Sequence, residues 1–314
     1  MITANDVPAA RPQGTLAIVA HDAGGAEILS SYVRREKLHC RLALQGPAKA
    51  IFERKLGAAV HNLSVEAALQ GSDRLLCGTS WQSDLELHAI GLARAAGTPS
   101  VAWLDHWVQY RERFMRSGVL CLPDEIWVSD ANAWTLARRH LPELPVYLTE
   151  NPYFADVRTE LAGAASVYPA LPHELTILYV CEPVREAALR QFGNPLHWGY
   201  SEEQALRYFL DNLRALGPVG RVVIRPHPSE PAGKYHDIVN EYALPIRFSE
   251  GHRLSSEVAS SDSVVGCGSM AMVIGLIAGK RVLSSIPPAG APCPLPHAEI
   301  EMLRDVVRGS KEGA

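Results

Sequence analysis

Residues 221–285 decide the fold: RVVIRPHPSE (221–230) opens this stretch and SDSVVGCGSMAMVIGLIAGKRVLSS (261–285) closes it. Val222–Ile224 and Ser263–Val265 are apolar β-runs, and each passes straight into a polar or glycine-bearing turn. The first turn presents Arg225, His227 and Ser229. The second, Gly266-Cys267-Gly268-Ser269, opens an apolar helix that stops at Gly279. A helix start carries unpaired N–H groups and a partial positive charge, so it stabilises an anion. A histidine and an arginine brought near that start predict a phosphate site made of Arg225, His227, Gly268 and Ser269.

The same strand–turn–helix grammar runs outward from this stretch. Thr15–Ala20 (TLAIVA) is a continuous apolar run of the buried parallel-strand type. It ends in His21-Asp22-Ala23-Gly24-Gly25-Ala26-Glu27 and a helix through Arg35. Strands are expected at Cys40–Leu44, Arg74–Cys77, Ser100–Leu104, Glu125–Ser129 and Pro145–Leu148, with helices at Ala48–Lys55, Asp84–Ala96 and Ala131–His140. Glu150–Asp156 reads as a crossover and Leu161–Glu174 as a surface linker. A second cycle begins at Leu175–Cys181, ending in Glu182-Pro183. It continues through a loop at Pro195–Ser201, an amphipathic helix at Glu202–Leu216, a helix at Lys234–Tyr242 and a strand near Pro245–Phe248. A helix at Ser255–Ser260, capped by Ser255-Ser256-Glu257, precedes a strand at Arg281–Ser284. His297–Val307 is expected as a final helix and Arg308–Ala314 as a loose tail.

The resulting fold class is α/β, with two Rossmann-like domains facing each other across a cleft. The expected division is a disordered leader at 1–14 and a first domain, on the acceptor side, at 15–150. A crossover and linker follow at 151–174, then a nucleotide-binding domain at 175–290 and a C-terminal helix and tail at 291–314. The length of 314 residues suits two domains. No GxGxxG fingerprint is present, so no dinucleotide is expected.

Bulk chemistry narrows the function. A net charge of −4 and a pI near 6.3 argue against a nucleic-acid partner. No apolar run reaches the length that spans a bilayer, and Met1–Gly14 does not read as a signal peptide. The 6 cysteines are scattered without a CxxC pair, which suits reduced thiols in a cytoplasmic protein and no metal site.

Two Rossmann-like halves, the central Asn151-Pro152 crossover and the motifs ILYVCEP, VVIRPHPSE and SSEVASSDSVVGCGSMAMVIGLIAGKRVLSSIP resemble glycosyltransferases of the GT-B architecture. They are most similar to the bacterial sialyltransferase, Kdo-transferase and CDP-glycerol transferase group. The resemblance covers residues 150–290; the first half matches in general layout. It implies that His227-Pro228 and Gly268-Ser269 hold a donor phosphate. It implies a nucleotide sugar as substrate, no cofactor and no metal, in a metal-independent, inverting transfer of the kind used in polysaccharide biosynthesis. UDP-sugar enzymes of this fold carry a ribose-gripping glutamate in the helix after the serine, where this chain has Ile274. That departure shifts the expected donor toward a CMP-linked acid sugar, a nonulosonic acid or Kdo-like. The acceptor would be a glycan, a lipid-linked or a protein molecule.

An inverting transfer needs a base, expected at a first-domain strand end. Asp22 is preferred, because Gly24 and Gly25 beside it leave the backbone open to substrate; Asp105 is the alternative, with Asp84 also placed to serve. In the bland reading His21 and Asp22 cap the first helix. Glu27, Trp81, His106 and Trp107 are expected on the acceptor side. The aromatics Trp81, Trp103, Trp107, Tyr110 and Phe114 suit either a sugar platform or core packing. Arg111, Arg113 and Arg116 suit a solvated face, an anionic acceptor or peripheral contact with a lipid headgroup. Glu182 and His197–Tyr200 are expected near the base or ribose. Two other functions fit the same layout: a nucleotide-sugar epimerase or hydrolase, and a non-catalytic nucleotide- or glycan-binding protein.

Overall fold

A computed structural model describes residues 14–57 and 59–312. The leader expected at 1–14 therefore lies, apart from Gly14, outside the described residues. The chain divides into two compact units between Asp156 and Val157, and each is built on a six-stranded, wholly parallel sheet. Among the described residues no helix is long and apolar enough to cross a membrane.

The first unit runs β1 (Leu16–Ala20), α1 (Ala23–Glu36), β2 (Cys40–Leu44), α2 (Ala48–Leu56), α3 (Val65–Leu69), β3 (Arg74–Cys77), α4 (Leu85–Ala96) and β4 (Ser100–Trp103). A short hairpin of β5 (Met115–Arg116) and β6 (Val119–Leu120) follows, then β7 (Glu125–Val128), α5 (Ala131–His140) and β8 (Val146–Leu148). The strand order is β2-β1-β3-β4-β7-β8. Every residue of β1 is buried, which is why its sequence is apolar without alternation. The order reverses after β1, whose next strand in the chain lies on one side while β3 lies on the other. The hairpin turns on Ser117 and Gly118, both at positive φ (49° and 78°), the geometry of a tight two-residue turn. Trp103, Trp127 and Tyr32 pack edge to face, with ring centres 5.3–6.1 Å apart, so Trp103 is core.

The second unit takes over within α6 (Pro152–Ala162) and runs β9 (Leu175–Val180), α7 (Val184–Phe192), α8 (Glu202–Asp211), β10 (Val219–Arg225), α9 (His236–Asn240) and β11 (Ile246–Phe248). It closes with α10 (Leu254–Ala259), β12 (Ser263–Gly266), α11 (Met270–Ile277), β13 (Arg281–Ser284), β14 (Ile300–Met302) and α12 (Leu303–Glu312). The strand order is β11-β10-β9-β12-β13-β14, and it reverses between β9 and β12.

Several expectations are corrected. Helix α6 covers residues expected as crossover and linker; the Asn151 side chain accepts from the Tyr153 and Phe154 N–H groups, and Pro152 suits a first helical position. Helix α7 fills the segment after Glu182-Pro183. The helix expected to run to Leu216 stops at Asp211, and a 3₁₀ turn covers Leu213–Leu216. The residues His297–Val307 hold strand β14 before α12 begins, and α12 continues through the residues expected as a tail up to Glu312. Ser255-Ser256-Glu257 does not cap α10, whose N-cap position is Arg253.

Candidate active site

In an open parallel sheet, ligands bind outside the carboxyl ends of the strands where the order reverses. In the first unit that place lies between the end of β1, which gives His21 and Asp22, and the end of β3, which gives Gly78-Thr79-Ser80-Trp81. Asp22 occupies the N-cap position of α1, yet its side chain makes no cap hydrogen bond. Its carboxylate turns across the switch point instead. Oδ1 accepts from Ser80 Oγ at 2.7 Å and pairs with His21 Nδ1 at 2.7 Å, and Oδ2 accepts from the Trp81 N–H at 3.2 Å. The His21 N–H donates to Glu86 Oε1 at 2.7 Å. Glu86 comes from α4 and is 3% exposed; burial pushes its carboxyl up to about 7. His21, Ser80 and Glu86 were not expected as site residues. The signal for the first two was the same one that marked Asp22, namely two polar turns following two buried strands.

The other first-domain candidates serve packing. Asp105 is buried under Gly24, where a Cβ would lie 2.0 Å from its Oδ2. Its Oδ1 faces Arg113 Nη1 at 3.4 Å and Thr79 Oγ1 at 3.5 Å. Gly25 packs on Gly78, with a built Cβ 3.1 Å from its Cα. Both glycines therefore admit protein, not substrate, and Asp105 is committed to a buried ion pair. Glu27 pairs with Arg54 and with Lys55 on α2. Trp107 is 7% exposed and donates to Asp130 Oδ2 at 2.8 Å, and Trp103, Tyr110 and Phe114 are buried, so the aromatic run is core and not a sugar platform. Trp81 is half-buried, beneath the Arg113 guanidinium at 5.5 Å. His106 keeps part of its ring exposed, 3.8 Å from Asp105. Arg111, Arg113 and Arg116 form no common face: they pair with Glu143, Asp105 and Asp84 respectively.

In the second unit the reversal falls between Glu182, after β9, and the Gly266–Ser269 turn, after β12. Glu182 itself fills the helix start: its Oε1 accepts from the Cys267 N–H at 2.9 Å and the Gly268 N–H at 2.7 Å. Burial raises its carboxyl, against the opposing effect of those N–H groups. Glu182 therefore occupies the helix start with its own carboxyl oxygen. Gly268 also packs against Pro294, where a Cβ would meet Cγ at 2.5 Å. The Ser269 hydroxyl accepts from the Ala271 N–H at 3.2 Å, a cap of α11. Arg225 is spent on Glu257, which is 0% exposed, and on the His252 carbonyl. Tyr200 is core, and His197 stacks on Phe192 at 3.7 Å.

His227 differs from these. It is exposed on the turn after β10, its N–H held by Glu230 Oε2 at 2.8 Å. The Ser229 N–H donates to its Nδ1 at 3.2 Å, so Nδ1 is an acceptor and the ring proton sits on Nε2. Desolvation lowers its pKa against the pull of Glu230 and Glu186. His227 thus offers a neutral Nε2–H donor. Glu230 is anchored by Lys234 and Tyr235, and Lys234 reaches on to Glu202. A cavity of about 280 Å³ in the first unit is lined by Gln45, Asn62, Ser64, Leu85 and His88 at the end of β2. Another, about 350 Å³, lies by Arg158, Ile277 and Lys280 at the far end of α11, the opposite edge of its sheet from the strand ends. Among the described residues no three His, Cys, Asp or Glu side chains group as metal ligands.

No family model matches the chain, and no curated protein matches it in sequence. In three dimensions it is similar to the UDP-GlcNAc 2-epimerase from Methanocaldococcus jannaschii, at 10% identity and a TM-score of 0.62, covering 95% of this chain and 92% of that one. It is also similar to the glycotransferase of kitacinnamycin, at 14% identity and a TM-score of 0.52, covering 94% of this chain and 84% of that one. At such identities the likeness speaks to architecture, and together with two Rossmann-like units of parallel strands it identifies a GT-B glycosyltransferase-like fold.

Proposed function

We propose that the protein transfers a sugar from a nucleotide donor to a glycan, lipid-linked or protein acceptor, without a metal and with inversion. The observation that carries this reading is the hydrogen-bonded carboxylate–imidazole cluster of Asp22 and His21 at the β1/β3 switch point. A proton acceptor at that place is what an attacking hydroxyl requires. The second unit contributes His227, whose Nε2–H supports charge building on a leaving phosphate. Ile274 is 6% exposed and cannot make the ribose contact that a glutamate makes in UDP-sugar enzymes of this fold; the donor we propose is a CMP-linked acid sugar. The cavity at Gln45, Asn62 and Ser64 is the proposed place for part of the acceptor.

A second reading, a nucleotide-sugar epimerase or hydrolase, is favoured by the higher TM-score of the epimerase likeness. The fate of the sugar, on an acceptor or on water, separates the two, and a thermal-shift panel of CMP, CDP, UDP, GDP and ADP identifies the donor. A ligand at 100 times its Kd stabilises the fold by about 2.7 kcal/mol. Stabilisation by CMP is expected; stabilisation by UDP without CMP overturns the donor assignment. His227→Ala is expected to lower kcat/KM about 10²–10³-fold and, being exposed, to leave the melting temperature within a degree or two of the wild type.

A further inference from the structure

We propose that His21 Nε2, not the Asp22 carboxylate, receives the acceptor's proton, and that Asp22 is the residue that positions His21. The inference rests on the sugar-transfer reading of this same site.

Asp22 is occupied. Three donors converge on its two oxygens: the Ser80 hydroxyl and His21 Nδ1 on Oδ1, and the Trp81 N–H on Oδ2. Three of its roughly four acceptor positions are thus engaged by the protein, which holds the carboxylate in place beside the His21 ring. Asp105, the other candidate, is 4% exposed at its side chain and paired with Arg113.

His21 has the complementary arrangement. Its partner at Nδ1 is a carboxylate, which only accepts, so the proton of the neutral ring lies on Nδ1 and Nε2 carries a lone pair. Three contacts hold His21, two of them at the ring. Glu86 from α4 holds its backbone N–H, Asp22 holds Nδ1, and Gly46 lies against its outer edge. Gly46 has φ +52°, and a Cβ there would sit 2.6 Å from Nε2. Glycine is required at that position both for the left-handed backbone and to leave room for the ring. The His21 side chain remains 16% exposed, so the ring is held but not sealed from solvent.

In the reaction, the acceptor O–H bond breaks and its proton goes to Nε2. The acceptor oxygen bonds to the anomeric carbon. The anomeric C–O bond to phosphate breaks, and its electron pair leaves on the phosphate oxygen. The imidazolium formed is stabilised by Asp22 until its proton passes to water. This is the division of labour in which a buried or anchored carboxylate sets the tautomer of a histidine base.

The test uses the full chain. Ring-nitrogen NMR on ¹⁵N-histidine protein is expected to show the His21 proton on Nδ1 in the wild type. Asp22→Asn, whose amide can donate to Nδ1, should move it to Nε2. Given the donor found by the nucleotide panel, His21→Gln is expected to lower transfer kcat 10²–10⁴-fold while the nucleotide thermal shift stays unchanged. Added imidazole should restore part of the rate to His21→Gly. A wild-type His21 protonated on Nε2, or a His21→Gln variant with undiminished kcat beside an inactive Asp22→Asn, overturns the proposal and returns the base role to Asp22. If the wild type turns over no nucleotide sugar, the sugar-transfer reading falls and the base role falls with it. The NMR reading needs no activity, so the His21–Asp22 arrangement is decided separately.

Discussion

One deeply buried carboxyl group, Glu86, couples the first unit's stability to pH. Glu86 is 3% exposed, holds the His21 N–H with one oxygen and has no hydrogen-bond partner for the other. Glutamate is almost never buried this deeply without a counter-charge. Burial raises its carboxyl from 4.5 to about 7, so the folded state keeps a proton that the unfolded chain has lost. Its stabilising contribution is complete below about pH 4.5 and is lost as pH rises through 7. The shift corresponds to about 3 kcal/mol. Urea unfolding at pH 4.5 and pH 8 is expected to show the wild type losing about that much relative to Glu86→Gln, which retains an acceptor for His21; equal pH slopes for the two proteins would refute it. Nothing in the sequence marked Glu86. It is the second residue of α4, where an acidic side chain is ordinary for a helix start, and spacing does not say that it turns inward. The same limit explains Arg225 and Glu182. Their types and positions at strand ends were legible, but their partners are set by segments 32 and 85 residues away, which no local pattern encodes.

Elements were legible where burial was two-sided. Strands Cys40–Leu44, Arg74–Cys77 and Arg281–Ser284 lie where their apolar runs place them, because a parallel strand covered on both faces reads as an unbroken run between turns. Helices α6 and α7 were missed for the opposite reason. The α6 segment opens on Asn-Pro, which reads as a break in the chain, and α7 buries only Val184 and Ala188 along its length. Strand β14 spans three residues at the sheet edge, too few for any periodicity. Helix α11 sits close to the sheet because of Gly275. A Cβ there would meet Val264 Cγ2 at 3.0 Å and Val282 Cγ2 at 3.1 Å. Alanine gains about 1 kcal/mol over glycine within a helix, but overpacking a buried contact costs about 1–3 kcal/mol. Val264 and Val282 are fully buried and β-branched, with little rotamer freedom to yield, so the clash wins. Gly275→Ala is expected to destabilise the protein by about 1 kcal/mol in urea titration, and a more stable variant would show that α11 can lift without loss.

At the scale of the molecule, each unit has its own six-stranded sheet and its own apolar cluster, one around Ile18, Phe52 and Trp103 and the other around Tyr179, Phe209 and Val222. Units that each bury a core of this kind unfold as separate cooperative blocks. Scanning calorimetry is therefore expected to resolve more than one transition, with a van't Hoff enthalpy below the calorimetric one. A pH series alone does not assign them. Burial raises Glu86 in the first unit and Glu182 in the second, so each unit holds a carboxyl whose contribution falls as pH rises. The assignment comes from the variant. Glu86→Gln removes the titrating group from the first unit only, and about 3 kcal/mol corresponds to a shift of roughly 6–12 °C for a block of this size. Between pH 5 and pH 8 one transition is expected to change its pH dependence in Glu86→Gln while the other behaves as in the wild type. A single transition with matching enthalpies, or two transitions that both respond to Glu86→Gln, would mean that the two cores melt as one cooperative block.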